Sequence, residues 1–334
     1  MKDTYRGIIL CVAIVLASLL SGDQAAAFGE ESWSDSVLSS LGGRSIVVEP
    51  YVKVGYEQIG LNMNLPVSSL ALSWILERKS LDFKLHNAGV WMGEVGVDSK
   101  LSQRLYCSLS ASGSQKQNVS VSMPQNPFGN FSLPQLAENG LTWSGTQFQY
   151  WSIDGNAGIE LRSDMVIIGG IRFNKMSMNL RDPADSAGQL PLVLNQFFSD
   201  FSSNLWIPYL GIKIVDSYYD FSVIATPLAT VSVSVPLTFI VVPADLASSE
   251  TSTYKIGRAG WFIEANGNYF RNLTNNLTVS LWGKLNWLNI RGNGTLDHVH
   301  YGFSTGGSDF DSVDGEATYS RYVLGGGVTA NLNF

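Results

Sequence analysis

The chain has 334 residues, a formal net charge of -7 and only 15% charged residues, against roughly 25% in ordinary soluble proteins. The acidic balance argues against nucleic acid as a partner. With 33 glycines and 11% aromatics, the composition suits export and a β fold.

Lys2 and Arg6 make a basic start, Ile8 to Leu20 is an uncharged apolar run, and Ala25-Ala26-Ala27 follows. This is the layout of a secretory signal peptide, so residues 1–27 are expected to leave by cleavage after Ala27. The apolar run is too short for a comfortable membrane helix, and nothing later approaches the ~20 apolar residues such a helix needs. In residues 28–44, Trp33, Val37, Leu38 and Leu41 recur at helical spacing before Gly42-Gly43. They predict a short amphipathic helix, with a disordered leader as the other reading. Cys11 lies in the signal, which leaves Cys107 alone. It keeps register with Leu105 and Leu109 and is expected to face lipid, without a disulfide.

From Ser45 onward the chain alternates apolar and polar residues in long segments, the mark of half-buried strands. Over about 45–63, Val48, Val52, Val54 and Tyr56 oppose Glu49, Lys53 and Glu57. Over about 80–99, Leu81, Phe83, Leu85, Trp91, Val95 and Val97 oppose Asp82, Lys84, His86, Glu94 and Asp98. Segments at about 104–122, 145–163, 165–181 and 203–216 repeat the pattern. At about 221–239, Val223, Ala225, Val231, Val233 and Val235 oppose Ser222, Thr226, Thr230, Ser232 and Ser234. Segments at about 258–272 and 277–292 follow, the latter with Val279, Leu281, Leu285 and Trp287 against Ser280, Lys284 and Asn286.

The last segment runs to the end of the sequence. Tyr322, Leu324, Val328, Ala330, Leu332 and Phe334 share one face, and Arg321, Thr329, Asn331 and Asn333 the other. This stretch resembles the C-terminal assembly signal of bacterial outer-membrane β-barrels, with Tyr322, Leu332 and the terminal aromatic Phe334 as its elements. The resemblance implies a closed barrel in which the last strand pairs with the first, so that no edge is left open.

The links agree. Short ones lie near 100–103, 163–164, 217–220 and 273–276. Long polar ones lie near 64–79, 123–144, 182–202, 240–257 and 293–316. The fold class expected is therefore all-β: a transmembrane antiparallel up-and-down barrel over residues 45–334, with short periplasmic turns and long extracellular loops. About ten strands are counted, or twelve if residues 64–79 or 123–144 hold a further hairpin. Residues 28–44 then form a periplasmic segment at the barrel mouth. A secreted β-sandwich would show shorter strands.

The inward faces carry charges of both signs: Glu49, Lys53, Glu57, Asp82, Lys84, Glu94, Asp98, Glu160, Arg162, Arg172, Lys213, Glu264, Lys284 and Arg321. In so narrow a barrel these are expected to pair and fill the lumen rather than line an ion path. Trp and Tyr on the apolar faces are expected at the membrane interfaces.

Asp297, His298 and His300 are the one cluster with catalytic character, expected at the outer end of a strand beside a long loop. A carboxylate next to two imidazoles can activate water. This cluster, the chain length and the strand count are similar to the omptin family of outer-membrane proteases. That resemblance implies an acidic pair on the opposite wall, where the first two long loops offer only Glu77 and Glu138. No Gly-x-Ser-x-Gly elbow with a matched triad stands in for it. The acidic run from Asp309 to Glu316 lacks the spacing of a calcium loop. The reading is thus an integral outer-membrane barrel with a structural, small-channel or surface-interaction role, and it leaves enzyme activity open. A narrow porin-like channel and an omptin-like protease are the alternatives. No cofactor or metal is implied. The partners implied are outer-membrane lipid, lipopolysaccharide and the barrel assembly machinery, with no nucleic acid.

Overall fold

The structure is a computed structural model that describes residues 47–66, 80–101, 104–123, 141–179, 200–239, 248–256, 259–274, 277–302 and 312–332. The signal peptide, the helix expected over 28–44, Glu77, Glu138 and Phe334 lie outside the described residues. Among those described, every element is a strand: β1 (Val47–Pro66), β2 (Ser80–Lys100), β3 (Leu105–Ser114), β4 (Gln117–Met123), β5 (Leu141–Arg162), β6 (Met165–Asn179), β7 (Asp200–Val215), β8 (Tyr219–Thr226), β9 (Thr230–Phe239), β10 (Ser248–Ile256), β11 (Ala259–Thr274), β12 (Leu277–Gly302) and β13 (Ser312–Leu332).

All strand pairings are antiparallel and they return to their start. β1 pairs β2 on one side and β13 on the other, from Tyr51↔Asn331 to Asn64↔Thr318. β3 and β4 together fill the place between β2 and β5. β8 and β9 both lie on β7, and β10 and β11 both lie on β12. β8 meets β11 while β9 meets β10, which closes the circuit. Thirteen strands therefore occupy ten positions in the wall, three of them interrupted once. Closure removes the free edge that the last strand would otherwise expose.

The outer surface explains the alternation. Val52, Val54, Ile153, Ile159, Leu210, Ile212, Leu281, Leu285 and Leu324 are all exposed on it, a band of large apolar side chains that no water-soluble wall would carry. One end of this band is ringed by aromatics. Tyr56 meets Trp91 with centroids 5.6 Å apart, Trp151 meets Phe173 at 5.2 Å, Phe173 meets Trp206 at 4.7 Å, and Trp261 meets Trp287 at 5.5 Å. The other end carries exposed Tyr218, Tyr219 and Tyr269. Such rings sit at the two membrane interfaces.

Beyond the ring at Trp91 and Trp206 the faces exchange character. The outer positions become Gln58, Asn62, Gln149, Lys175, Asn204, Arg291 and Ser320. The inner positions become Ile59, Leu61, Met63, Phe83, Phe201, Val233, Leu288 and Ile290, all buried. This upper wall stands in water and needs an apolar interior, as a soluble β protein does. The lower wall stands in lipid and keeps its polar groups inside.

Several expectations are corrected here. On β2, Ile59 pairs Ala88 but Leu61 pairs Leu85, so His86 and Asn87 together oppose Gly60. This bulge flips the faces. Phe83 and Leu85 therefore point inward, 2% and 3% exposed, and Asp82 and Lys84 lie on the outer face instead of in the lumen. Asp82 accepts a hydrogen bond there from Asn64 Nδ2. On the wall position of β8 and β9, Val231 and Val233 are inside as well. Pro227 has no N–H to give the ladder, and the break at Pro227–Ala229 leaves Leu228 exposed and Ala229 buried. Strands also replace expected loops: β10 occupies much of 240–257, and β12 and β13 shorten the link at 293–316, taking Asp314 and Glu316 into β13. Cys107 shares a face with Ala157, its partner across β3 and β5, but is buried rather than lipid-exposed.

The closing seam is unusually tight. Trp282 of β12 lies inward, and a Cβ on Gly55 of β1 or Gly327 of β13 would collide with its indole. Its Nε1 donates to the Val54 carbonyl at 3.4 Å. Only glycines leave room for the ring against this wall.

The exchange of faces yields a paired prediction, read by urea titration of the protein folded in lipid vesicles. Leu281→Arg puts a charge in lipid and should cost about 2–4 kcal/mol, while Ser280→Arg, facing inward, should cost less. Above the ring the sensitivity moves inside. Leu288→Ala should cost about 2–5 kcal/mol, and Asn289→Ala no more than about 0.5 kcal/mol.

Candidate functional site

The lower half of the barrel encloses a polar chamber of about 710 Å³. Its walls include Glu49, Lys53, Glu94, Asp98, Arg172, Lys213, Glu264 and Lys284, with serines and asparagines between them. Each comes from an inward position of a strand whose outward neighbours face lipid, so alternation alone delivers them.

The charges are paired across the lumen as well as along the wall. Arg172 on β6 holds Asp154 on β5 at 2.6 Å. It also reaches Glu264 on β11 with both Nη1 and Nη2, at 2.5 and 2.9 Å. Tyr209 donates to Asp154 at 2.6 Å, and Asn266 and Asn286 donate to Glu264 at 2.8 and 3.2 Å. Glu264 is 1% exposed. A two-pronged guanidinium contact with extra donors is the arrangement that lets a carboxylate stay ionised away from bulk water. Around it, Lys284 pairs Glu57, Lys53 meets Glu94 at 3.8 Å, and Lys213 meets Asp220 at 2.8 Å. Lys53 also lies 4.3 Å from the centre of the Trp282 ring. Near the short turns Lys100 approaches Glu160 at 3.8 Å and Tyr106 donates to Glu160 at 2.9 Å.

Above the chamber the lumen narrows to an apolar layer spanned by contacts between distant strands. Phe83 of β2 lies 6.3 Å from Phe201 of β7, and Ser203 of β7 lies 3.2 Å from the Tyr319 hydroxyl of β13. Arg321 of β13 stands 5.6 Å from the Tyr150 ring of β5.

Of the charges expected inside, Glu57 and Arg321 are almost fully buried, and Arg162 sits exposed at the end of β5. Asp154, Asp220 and Lys100 join the network without having been singled out. Asp154 was legible from its alternation, whereas Asp220 read as part of a turn. Asp297, His298 and His300 fall within β12, near its outer end at Gly302. Their backbones pair with Thr253, Ser252 and Glu250 of β10, and Asp297 also with Ser312 of β13. Among the described residues no cluster of His, Cys, Asp and Glu is placed to hold a metal. Tyr322 faces outward in the aromatic ring, Leu332 ends β13, and Phe334 lies beyond the described residues.

On the outer wall a cleft of about 600 Å³ opens beside the aromatic ring, between Trp151, Phe173 and Trp206, with Lys175, Asn204 and Ser232 on its watery side.

A closed antiparallel wall with an apolar belt, aromatic rings and short turns at one end defines the class: the chain has the fold of bacterial outer-membrane β-barrel proteins. A solved structure agrees. The chain is similar to the outer membrane protease OmpT of Escherichia coli, with a TM-score of 0.55 and 15% identity over 88% of this chain and 100% of that one. It also matches the translocator domain of the autotransporter NalP of Neisseria meningitidis, with a TM-score of 0.35 and 8% identity over 98% of each chain. No family model and no curated protein matches the sequence.

The network predicts its own weak point. Arg172→Met leaves both Asp154 and Glu264 without their shared cation and should cost about 3–5 kcal/mol, whereas Glu264→Leu leaves Arg172 its contact with Asp154 and should cost less. Urea midpoints of the three proteins in lipid vesicles check this ordering.

Proposed function

We propose that the protein is a sealed outer-membrane barrel with a structural or surface-interaction role, and that it does not conduct. The observation that carries this reading is the apolar layer above the chamber, bridged by Phe83–Phe201 and Ser203–Tyr319. A solute leaving the polar chamber would have to part packed side chains, and ions would lose their hydration there. The wall above the membrane ring, polar outside and apolar inside, serves as a stiff platform held clear of the outer leaflet. Stiff strands are suited to presenting the segments that join them to other surfaces. In planar bilayers the purified protein should give no steady single-channel steps. Regular steps of reproducible size would reverse the reading in favour of a narrow channel.

The protease alternative has the OmpT-like fold in its favour, and a fold hosts many activities. Catalysis would need a reacting group held between two halves of a site. Asp297, His298 and His300 offer one half. We expect no hydrolysis of basic peptides; cleavage lost in the His298→Ala/His300→Ala double variant would restore the hydrolase reading.

Lipid and lipopolysaccharide are the partners proposed for the outer belt. The barrel assembly machinery is the partner proposed for the last strand, through Tyr322, Leu332 and Phe334. Deleting Phe334 should sharply lower the amount of heat-modifiable protein in the outer membrane. Unchanged surface expression would count against that role.

A further inference from the structure

The roof of the chamber holds a charge that no described residue answers. Lys53, Arg172, Lys213 and Lys284 on the inner wall each have a carboxylate partner. Arg321 has none among the described residues. Its side chain is 2% exposed, and its strand neighbours across the wall are Leu61 and Leu288. Nε and Nη2 make no hydrogen bond. The face of Tyr150 is near the guanidinium and meets only part of its charge. Arginine does not escape such a position by losing its proton, so the idle N–H groups call for an acceptor.

Idle polar atoms occur beside the same stretch of β5. Asn174 on β6 is 2% exposed and neither amide atom is bonded. It pairs across the sheet with Ser152, two residues from Tyr150 on the same inner face. Tyr150 and Ser152 both line the chamber. Arg321 and Asn174 thus bring unspent donors to the chamber's roof from two sides, with Tyr150 between Arg321 and the open space.

We propose that Arg321 binds a small monovalent inorganic anion of chloride size, with the Asn174 amide as a further donor, and that the anion enters from the periplasmic chamber past Tyr150. The site is small because Leu61, Leu288, Tyr150 and Tyr319 enclose it, all buried. A multivalent oxyanion would need more donors than these two side chains present. Glu94, Asp154, Asp220 and Glu264 of the chamber below are held by Lys53, Arg172 and Lys213.

The probe is halide itself. The full-length folded protein in detergent should melt a few degrees higher in sodium chloride than in sodium gluconate at equal ionic strength, since gluconate is too large for the site. The rise should saturate with chloride, as ligand-linked stability does, and Arg321→Met should abolish the difference. Bromide-soaked crystals of the unmodified protein provide a second reading that does not depend on the variant folding. An anomalous peak within hydrogen-bond distance of Arg321 Nε or Nη2 is expected. Equal melting in chloride and gluconate, an undiminished chloride effect in Arg321→Met, or water alone at that position would each overturn the proposal.

Discussion

The whole wall depends on one constraint: each of its ten positions stands in two solvents. Along its lower half the outside is hydrocarbon, which cannot satisfy a polar group, so the polar positions must turn inward. Along its upper half the outside is water, and the gain lies in burying apolar groups instead. The aromatic ring from Tyr56 through Trp91, Phe173 and Trp206 to Trp287 marks the level at which the two rules meet. Everything described inside the barrel follows from that level. Below it lies a chamber of paired charges, and above it an apolar layer that bridges the lumen.

That exchange of faces also decides how much the sequence could tell. The ten wall positions, their long spans and the short links at one end were legible, because alternation is local and needs no partner to be seen. So were the inward faces of the lower wall, such as Lys284 between Leu281 and Leu285. The upper wall was not. There Phe83 and Leu85 look as apolar as Val95 and Val97 of the same strand, and a reading that treats every apolar residue as lipid-facing puts them outside. The bulge at His86–Asn87 and the break at Pro227–Ala229 shift the phase by one residue, which is enough to turn a strand inside out. No single-sequence pattern distinguishes a bulge from a slightly irregular strand.

The candidate site divides along the same line. Pairings such as Arg172 with Glu264 join strands that are far apart in the chain, so their residues were visible but their partners were not. Strand pairing alone fixes which inward positions share a level, and that information is three-dimensional. Arg321 illustrates the point. In the sequence it is one more charge on the polar face of the last strand, yet the register sets it beside Leu61 and Leu288, above the chamber and among apolar side chains.

The glycine-bordered indole at the seam bears on the order in which the molecule is made. Trp282 belongs to the next-to-last wall strand, while the surfaces that receive it, Gly55 and Gly327, belong to the first and the last. The strands at the beginning and the end of the chain must both be in place before the ring can lie flat. A larger residue at Gly55 would leave the early hairpins untouched and fail only at the final zipping of first strand to last. The seam thus acts as a late checkpoint, and a chain that stalls there would persist as an open, nearly finished sheet.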